Sequence, residues 1–420
     1  MKAWIIDVSM GYGHQRASYP LRELGEVIHA NDYSGIPEKD KKSWLSGRKF
    51  YEFISRFKSV PLLGWLAFRV FDHFQRIKDY YPKHRASQPT LQLKQVYYTL
   101  KKNLGRHLIE KLKKNPLPFI ATFFTPAFMA EEFDYPGDIY CVLCDADVSR
   151  TWAPLRPKKS RIKYFCPNNW TLNRIQTYGV KKENVFFTGF PLPLENIGTE
   201  NMEILKEDMR HRLFNLDPDK NYFKEYRVLV ENHFGVLPQD SNHSLTLMFA
   251  IGGAGAQKKL GLEIIKGLEN SIRQGRIRVA LSAGIRKEVK DYFVFELKKM
   301  NLAGVKIIFN PKIEEYFKEF NRFLREVDIL WTKPSELSFY SGLGLPIIIA
   351  PTIGSQEDFN RKWLLSLGAG VDQKDPKYVE QWLFDYLKSG RLAEASMQGF
   401  VEVEKLGVLN IKKIIEQCSG

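Results

Sequence analysis

Short apolar runs alternate with longer amphipathic segments along most of the chain. Between Ala3 and about Leu194 the apolar runs are AWIIDVS, PFIATFF, DIYCVLCD, RIKYFCPN and NVFFTGFP. A second series begins near Leu245 with LTLMFAIGG, IRVALSAG, VKIIFN, VDILWTK and LPIIIAP. Runs of this length separated by helical segments are typical of parallel sheets with crossover helices. The pattern predicts an α/β protein with two Rossmann-like, doubly wound domains that face each other across a cleft.

The same pattern gives the expected boundaries. We predict a first domain over residues 1–195, with a basic, aromatic helical insertion at about 39–114. Within it, HQRASYPLRELGEVI after the first apolar run is predicted to be a helix. Residues 196–243 lack clear periodicity and are expected to form a linker or insertion. The second domain is expected over 244–400, and residues 401–420 should form a C-terminal helix.

Composition narrows the class of protein. The 420 residues are 44% hydrophobic and 26% charged, as in an ordinary globular protein. Four cysteines are too few for a disulfide framework in a chain of this length, which favours a reducing compartment. The sequence contains neither a signal-peptide pattern nor an apolar run of about 18 residues. We therefore expect a cytoplasmic protein, associated with a membrane at most peripherally.

Most of the net charge of +15 comes from one segment. Between Lys39 and Lys114 there are 19 Lys and Arg residues against 5 Asp and Glu. Aromatic residues recur there at helical spacing, in FYEFISRF and in LLGWLAFRVFDHFQRI. Two helices packed on the first domain would explain the pattern, and so would a surface that inserts among anionic lipid headgroups. Nucleic acid is the third and least favoured partner, because the aromatic residues follow helix faces.

A histidine follows the first apolar run, in the stretch IIDVSMGYGHQRAS. Gly11 and Gly13 lack a Cβ atom and let the backbone approach a ligand closely. An imidazole can accept a proton near neutral pH, so His14 is a candidate general base for activating a hydroxyl group. Asp145, at the end of another predicted strand, is expected to orient His14 or to act as the base itself.

Polar groups also follow the predicted strands of the second domain, between Val327 and Gly370. After the strand ending in TKP, Ser335 is predicted to cap a helix whose N-terminus would favour a diphosphate. The stretch TIGSQEDFN follows the next strand, and ligands gather at this edge in doubly wound folds. Gln356, Glu357 and Asn360 are suited to hydrogen bonds with sugar hydroxyl groups.

The segment from Val327 to Gly370 resembles the donor-binding end of GT-B glycosyltransferases that use nucleotide sugars. The nearest families are the monogalactosyldiacylglycerol synthases, the processive diacylglycerol glucosyltransferases and the peptidoglycan N-acetylglucosaminyltransferase. The resemblance is carried by Thr332, Lys333, Gly344, Leu345, Pro346, Gln356, Glu357 and Asn360. Four other stretches, GYGHQRAS, CDADVSRTWAP, VFFTGFPLP and FAIGGAGAQK, are similar to motifs of that group in the same order. They match at Gly11, Gly13, His14, Arg16, Ala17, Ser18, Asp145, Trp152, Gly189, Pro191, Gly252, Gly253 and Gly255.

The resemblance implies an inverting transfer from a nucleotide-diphosphate sugar, expected to be a UDP-sugar, to a lipid-linked or anionic acceptor. His14 and Asp145 would be catalytic, and Gly11, Gly13 and Arg16 would form an acceptor or phosphate loop. The implied donor site consists of Gly252, Gly253, Gly255, Thr332, Lys333, Ser335, Glu336, Gln356, Glu357 and Asn360. Neither a metal ion nor another cofactor is expected. One position departs from the pattern: Phe339 stands where the family has a ribose-binding glutamate, and Glu336 lies one turn upstream.

Two alternatives to the transferase remain. Nucleotide-sugar 2-epimerases share the expected fold and need no membrane surface. A non-catalytic protein that kept the fold is the other alternative, and Phe339 is the residue that favours it. The pair Cys141 and Cys144 is expected to be two core thiols, because the sequence offers no second pair of ligands for zinc.

Overall fold

The computed structural model describes residues 2–46, 77, 80–82, 87–253, 255, 257–352 and 354–418. The two aromatic segments FYEFISRF and LLGWLAFRVFDHFQRI lie outside the described residues, apart from Ile77. The predicted basic insertion is therefore described only at helical residues 38–46, at Ile77, at residues 80–82 and at residues 87–114. None of the helices in the described ranges combines the length and apolar composition that crossing a membrane requires.

The described chain divides into two compact units. The first comprises Met1–Pro191, Ile353–Asn360 and Leu406–Gly420, and the second comprises Leu192–Thr352 and Arg361–Lys405. The stretch predicted to be one C-terminal helix is therefore interrupted. Its first residues end the helix Arg391–Glu402 of the second unit, and a separate helix, Gly407–Cys418, belongs to the first.

The first unit contains a sheet of six parallel strands within the described residues, in the order β2-β1-β3-β4-β5-β6. The strands are β1 Ala3–Asp7, β2 Gly25–His29, β3 Phe119–Ala121, β4 Ile139–Val142, β5 Lys163–Cys166 and β6 Val185–Phe187. Residues of β3 and β4 are buried throughout, as expected for central strands covered on both faces. The covering helices include Tyr12–Leu21, Leu91–Lys101, Arg106–Leu112, Phe124–Glu132, Asn169–Thr177 and Gly407–Cys418. Cys141 and Cys144 are buried thiols without a disulfide, as predicted.

The second unit contains another sheet of six parallel strands in the described part of the chain, in the order β12-β11-β10-β7-β8-β9. The strands are β7 Thr246–Ala250, β8 Arg278–Gly284, β9 Val305–Phe309, β10 Ile329–Thr332, β11 Ile347–Ile349 and β12 Gly370–Asp372. Counted from β7, this order is that of the Rossmann fold. The helices include Glu203–Leu216, Asn221–Phe234, Lys258–Gly267, Glu269–Arg273, Lys287–Lys299, Ile313–Leu324, Val379–Lys388 and Arg391–Glu402. The helix Ser355–Leu367 begins in the first unit, which includes Asn360, and ends in the second.

The predicted helix HQRASYPLRELGEVI is only half helical. The α-helix ends at Leu21, and Gly25–His29 form the edge strand β2, which pairs with β1. A side chain at Gly25 would collide with the backbone carbonyl of Ala3, so the close approach of the two strands requires glycine there. Pairing with β1 thus overrides the helical pattern of the preceding residues.

Residues 196–243, for which a linker was predicted, contain two helices of the second unit. The helix Glu203–Leu216 buries Asp208 and Arg212 together with its apolar residues, which hides the amphipathic period. The Arg212 guanidinium donates to the backbone carbonyls of Val327 at 2.9 Å and Leu343 at 2.6 Å. A hydrophobicity pattern counts charged residues as exposed, so it does not identify a helix that buries charged side chains in hydrogen bonds to the backbone.

Candidate functional site

In the first sheet, β1 lies between β2 and β3, so the strand order reverses at the β1–β3 pair. Ligands of doubly wound sheets bind beside the carboxyl ends of strands at such a switch point. The turn after β1 contains Gly11 and leads into the helix Tyr12–Leu21, whose first turn carries His14, and the turn after β3 carries Thr122 and Phe123. The two turns meet, since His14 Nδ1 lies 2.8 Å from the carbonyl oxygen of Thr122. The predicted histidine is therefore at the switch point of its sheet.

The contact with Thr122 assigns a tautomer to His14. A carbonyl oxygen can only accept, so Nδ1 donates and the neutral ring keeps its lone pair on Nε2. The ring is half-buried, with its centroid 4.7 Å from that of Phe123 and 6.1 Å from that of Trp152. Trp152 belongs to the CDADVSRTWAP motif, so two of the predicted motifs come together here. This tautomer is the one a general base with Nε2 as acceptor needs.

The glycine turn around His14 has two features of its own. Gly11 precedes the helix Tyr12–Leu21 with φ at +112°, a left-handed conformation that favours glycine. Arg16, predicted to belong to a phosphate loop, is 2% exposed, and its guanidinium lies 6.0 Å from the ring centroid of Tyr12. The structure thus places the Arg16 side chain inside the first unit, whereas Gly11 is exposed.

Asp145 follows β4 and is held by an asparagine distant in sequence. Asn360 Nδ2 donates to Asp145 Oδ1 at 3.0 Å, and Asn360 Oδ1 accepts from the Ala146 backbone N–H at 2.7 Å. Asn360 is fully buried and belongs to the first unit. Both ends of its amide are engaged with this turn, so Asn360 orders the Asp145 turn, while its binding of the sugar stays a prediction.

Asp147 lies two residues further along and has a different environment. It is 2% exposed and accepts from Arg174 Nε at 2.8 Å, from Arg174 Nη2 at 2.5 Å and from Trp170 Nε1 at 2.8 Å. The carboxylate is thus committed to a buried ion pair, while Asp145 stays half-buried at the turn. Of the two aspartates in CDAD, Asp145 is the one that can meet a ligand.

In the second sheet, the order reverses between β7 and β10. Ala250 and Thr332, the last residues of these strands, are direct partners, and Thr332 Oγ1 donates to the Ala250 carbonyl at 3.0 Å. The glycine loop follows β7, and Lys333 follows β10. A methyl group added at Gly252 would lie 2.5 Å from Lys333 Cε, so the lysine side chain covers that glycine. Gly252, Thr332 and Lys333 are therefore together at the switch point.

A second cation, which the sequence analysis missed, lies on the other side of the glycine loop. Arg286 Nε donates to the carbonyl of Gly253, and the Arg286 side chain is about one quarter exposed, at 27%. Gly255 has φ at +69°, and a Cβ atom there would lie 3.2 Å from Arg286 Cδ. Arg286 is the first cationic residue after the carboxyl end of β8. This position after a strand could have identified it from the sequence. The loop is thus flanked by one lysine and one arginine.

The structure corrects the predicted cap at Ser335. The residues after it form a 3₁₀ helix, Glu336–Leu343, and the Ser335 side chain makes no capping hydrogen bond. The reason is that the Ser338 N–H already bonds to the backbone carbonyl of Ser335 at 2.9 Å. Glu336 is buried, and Phe339 is fully buried with its ring centroid 5.0 Å from that of Trp363. Phe339 is therefore a core residue here.

Gln356 and Glu357, predicted to bind the sugar, lie in the first turn of the helix Ser355–Leu367. Gln356 is exposed and Glu357 is half-buried. Gln257 Nε2, at the end of the glycine loop, donates to the carbonyl of Pro351 at 3.0 Å. Across the described part of the chain, no three His, Cys, Asp or Glu side chains form a group that could hold a metal ion.

Comparisons with known proteins agree with this architecture. A family model described as "Domain of unknown function (DUF6938)" matches residues 238–309. No curated protein matches the chain. Among solved structures, MurG of Acinetobacter baumannii is similar with a TM-score of 0.50 and 11% identity, covering 99% of this chain and 100% of that one.

Two further solved structures are similar over the whole length of this chain. Staphylococcus aureus MnaA with UDP has a TM-score of 0.48 and 12% identity, over 100% of this chain and 97% of that one. UDP-GlcNAc 2-epimerase from Neisseria meningitidis, bound to UDP-GlcNAc, has a TM-score of 0.48 and 12% identity, over 100% and 99%. The similarity to MurG, together with the two six-stranded parallel sheets of the described residues, shows the GT-B fold predicted from the sequence.

Proposed function

We propose that this protein is an inverting glycosyltransferase that moves a sugar from a nucleoside diphosphate donor, a UDP-sugar, to an acceptor hydroxyl group. The observation that carries the proposal is the glycine loop between Lys333 and Arg286, at the switch point of a Rossmann-ordered sheet. Two cations beside a half-buried glycine loop suit a diphosphate, which gains negative charge as it leaves. The helix Lys258–Gly267 begins directly after the loop and adds its N-terminal dipole.

His14 supplies the chemistry at the other end of the reaction. With Nδ1 bonded to the Thr122 carbonyl, Nε2 takes the proton of the acceptor hydroxyl as that oxygen attacks the anomeric carbon. The bond from that carbon to the diphosphate breaks, and the electron pair leaves with the nucleotide. Gln356 and Glu357 are the proposed sugar-binding residues, and Asp145 is proposed to contact the acceptor. The step needs neither a metal ion nor another cofactor in this proposal.

The proposed acceptor is lipid-linked or anionic, and the site of action is the cytoplasmic face of a membrane. This part of the proposal is supported by the charge excess between Lys39 and Lys114. Within the described residues, many cations of this segment are exposed, among them Lys39, Lys42, Lys101, Lys102, Arg106 and Lys114. Attraction to anionic lipid weakens as salt screens the charges, so vesicle binding should fall with ionic strength.

A donor screen tests the proposal directly. Calorimetry with UDP, GDP, ADP and dTDP identifies the nucleotide, and release of the diphosphate from nucleotide sugars identifies the sugar. Binding of UDP with slow donor hydrolysis supports the transferase. Interconversion of two sugar nucleotides without release of UDP would replace it with the epimerase. Absence of binding to all four nucleotides would favour the non-catalytic protein.

Arg286→Ala is expected to weaken UDP binding by about tenfold or more, because a hydrogen bond to a charged group contributes about 1.5–3 kcal/mol. Calorimetry at fixed salt measures the change in Kd. Lys287→Ala is the matched control: Lys287 is the next residue, exposed and paired with Asp291 at 2.6 Å. Equal affinities in the two variants would remove Arg286 from the diphosphate site.

Gly252→Ala is expected to weaken UDP binding through Lys333 alone. The added methyl group lies 2.5 Å from Lys333 Cε, so the lysine must move away from the loop. In a double-mutant cycle with Lys333→Ala, the second change should therefore have little further effect, whereas independent sites would add. Full additivity of the two losses would show that Gly252 and Lys333 act separately.

A further inference from the structure

A cluster of aromatic rings lies partly exposed on the first unit. Trp170 is 44% exposed and Tyr81 is 71% exposed. The ring centroid of Tyr80 lies 4.9 Å from that of Trp170 and 4.9 Å from that of Tyr81. We call these three rings the Trp170 platform. Such rings leave apolar surface in water, which is costly unless something covers it.

The platform is held in place from beneath by a buried ion pair. Trp170 Nε1 donates to Asp147 Oδ2 at 2.8 Å, which fixes the rotation of the indole. Arg174, fully buried, bonds to both oxygens of the same carboxylate. The Arg174 guanidinium also lies 4.9 Å from the ring centroid of Tyr80. A buried ion pair adds little net stability, but here it presets the orientation of an exposed ring.

The platform adjoins the candidate site of the first unit. Asp147 is two residues after Asp145 on the turn that follows β4. Asn168 caps the helix Asn169–Thr177, which carries Trp170, and donates through Nδ2 to the carbonyl of Ala146 at 3.0 Å. The indole is therefore tied to the same turn as Asp145, at the carboxyl edge of the sheet.

Among the residues that the structure describes, the polar groups around the platform are uncharged or neutralised. The charge of Arg174 is balanced by Asp147 in a two-pronged contact. Asn169 and Asn173 are exposed, and Asn173 is three residues from Trp170, on the same side of the helix. Amide groups both donate and accept hydrogen bonds, as sugar hydroxyl groups do. The described side chains around the platform therefore offer no net positive charge to a phosphate group.

We propose that the Trp170 platform binds a neutral pyranoside ring, which stacks its C–H face on the indole and bonds its hydroxyl groups to the neighbouring amides. An apolar surface with a few placed polar groups is the usual form of a small-ligand site. The identification of this ring as part of the acceptor rests on the proposed glycosyltransferase function. The inference that the platform binds a sugar does not depend on that function.

The test uses the protein with 5-fluorotryptophan in place of tryptophan. The ¹⁹F signal of Trp170 is assigned by its loss in Trp170→Phe. Methyl β-D-glucopyranoside and methyl β-D-galactopyranoside are the probes, and 1,2-hexanediol is the matched apolar probe without a ring. A saturable shift of the Trp170 signal by either glycoside, and none by the diol, supports the proposal. No shift with both glycosides, or an equal shift with the diol, overturns it.

Variants give a second readout. Trp170→Ala should raise the KM for a glycoside acceptor about tenfold, the order expected for one lost ring-stacking contact, with kcat unchanged. Tyr98→Ala, which removes a 58% exposed ring on helix Leu91–Lys101, should leave KM unchanged. An unchanged KM in Trp170→Ala, with folding verified by thermal unfolding, would overturn the acceptor role. If UDP binding fails but the glycoside still shifts Trp170, the proposed function fails and the sugar site stands.

Discussion

Replacing His14 by alanine is expected to slow sugar transfer by about 10²- to 10⁴-fold, the range that loss of a positioned general base produces. The reason is that the bond from Nδ1 to the Thr122 carbonyl leaves Nε2 as the proton acceptor, and alanine offers none. Affinity for UDP should not change, since the proposed nucleotide site lies in the second unit. Transfer is measured as release of the nucleoside diphosphate in the presence of acceptor.

The matched control for His14→Ala is His107→Ala. His107 is exposed, and its ring is stacked on that of Tyr33 with the centroids 5.9 Å apart. Its loss should leave turnover unchanged. The pH profile adds a second criterion, because a rate that depends on an unprotonated His14 falls at acid pH, and that decline should vanish in the variant. Undiminished turnover in His14→Ala would exclude the histidine from the mechanism.

Asp147→Ala is expected to lower the free energy of unfolding by about 3–5 kcal/mol, the cost of breaking a buried ion pair from one side. Arg174 would then remain buried without the carboxylate that now accepts from its Nε and Nη2 atoms. The side chains of this pair are 0% and 2% exposed, so water cannot replace the lost partner in the native packing. Urea unfolding, followed by fluorescence, gives the change in midpoint.

Asp138→Ala provides the control for this stability prediction. Asp138 pairs with Lys163 at 3.1 Å in the same unit, but the two side chains are 35% and 20% exposed. A partly exposed pair of this kind contributes at most about 1 kcal/mol. Equal losses of stability in the two aspartate variants would mean that the Asp147–Arg174 pair is not effectively buried in solution.

The strands were largely predictable because each lies in a short apolar run. The predicted run AWIIDVS contains β1, VDILWTK contains β10 and LPIIIAP contains β11. There are two exceptions. The short strand β12 lies in none of the predicted runs, and β2 continues a helical pattern and is held as a strand only by its pairing with β1. The two helices of residues 203–234 were missed for a different reason, since one of them buries Asp208 and Arg212. Both for β2 and for this helix, a distant partner decides the local structure.

Residues of the candidate site could be predicted where they directly follow a strand within one sequence motif. They could not be predicted where they depend on a contact with a residue distant in the sequence. The glycines of the loop and Lys333 could be found from their positions after strands. The position of Arg286 beside Gly253 depends on the neighbouring strand β8. The engagement of Asn360 with Ala146 joins residues 214 positions apart, and no local pattern reports such a contact.

The interrupted path of the chain through the first unit has a consequence for its synthesis. The helix Gly407–Cys418 packs against Phe190, and Asn410 donates to the carbonyl of Thr188 at 2.9 Å. On the ribosome, the N-terminal sheet emerges long before this helix or Asn360 has been translated. A contiguous fragment ending at Pro191 lacks both, and so the half of the protein that is made first is the last to be completed.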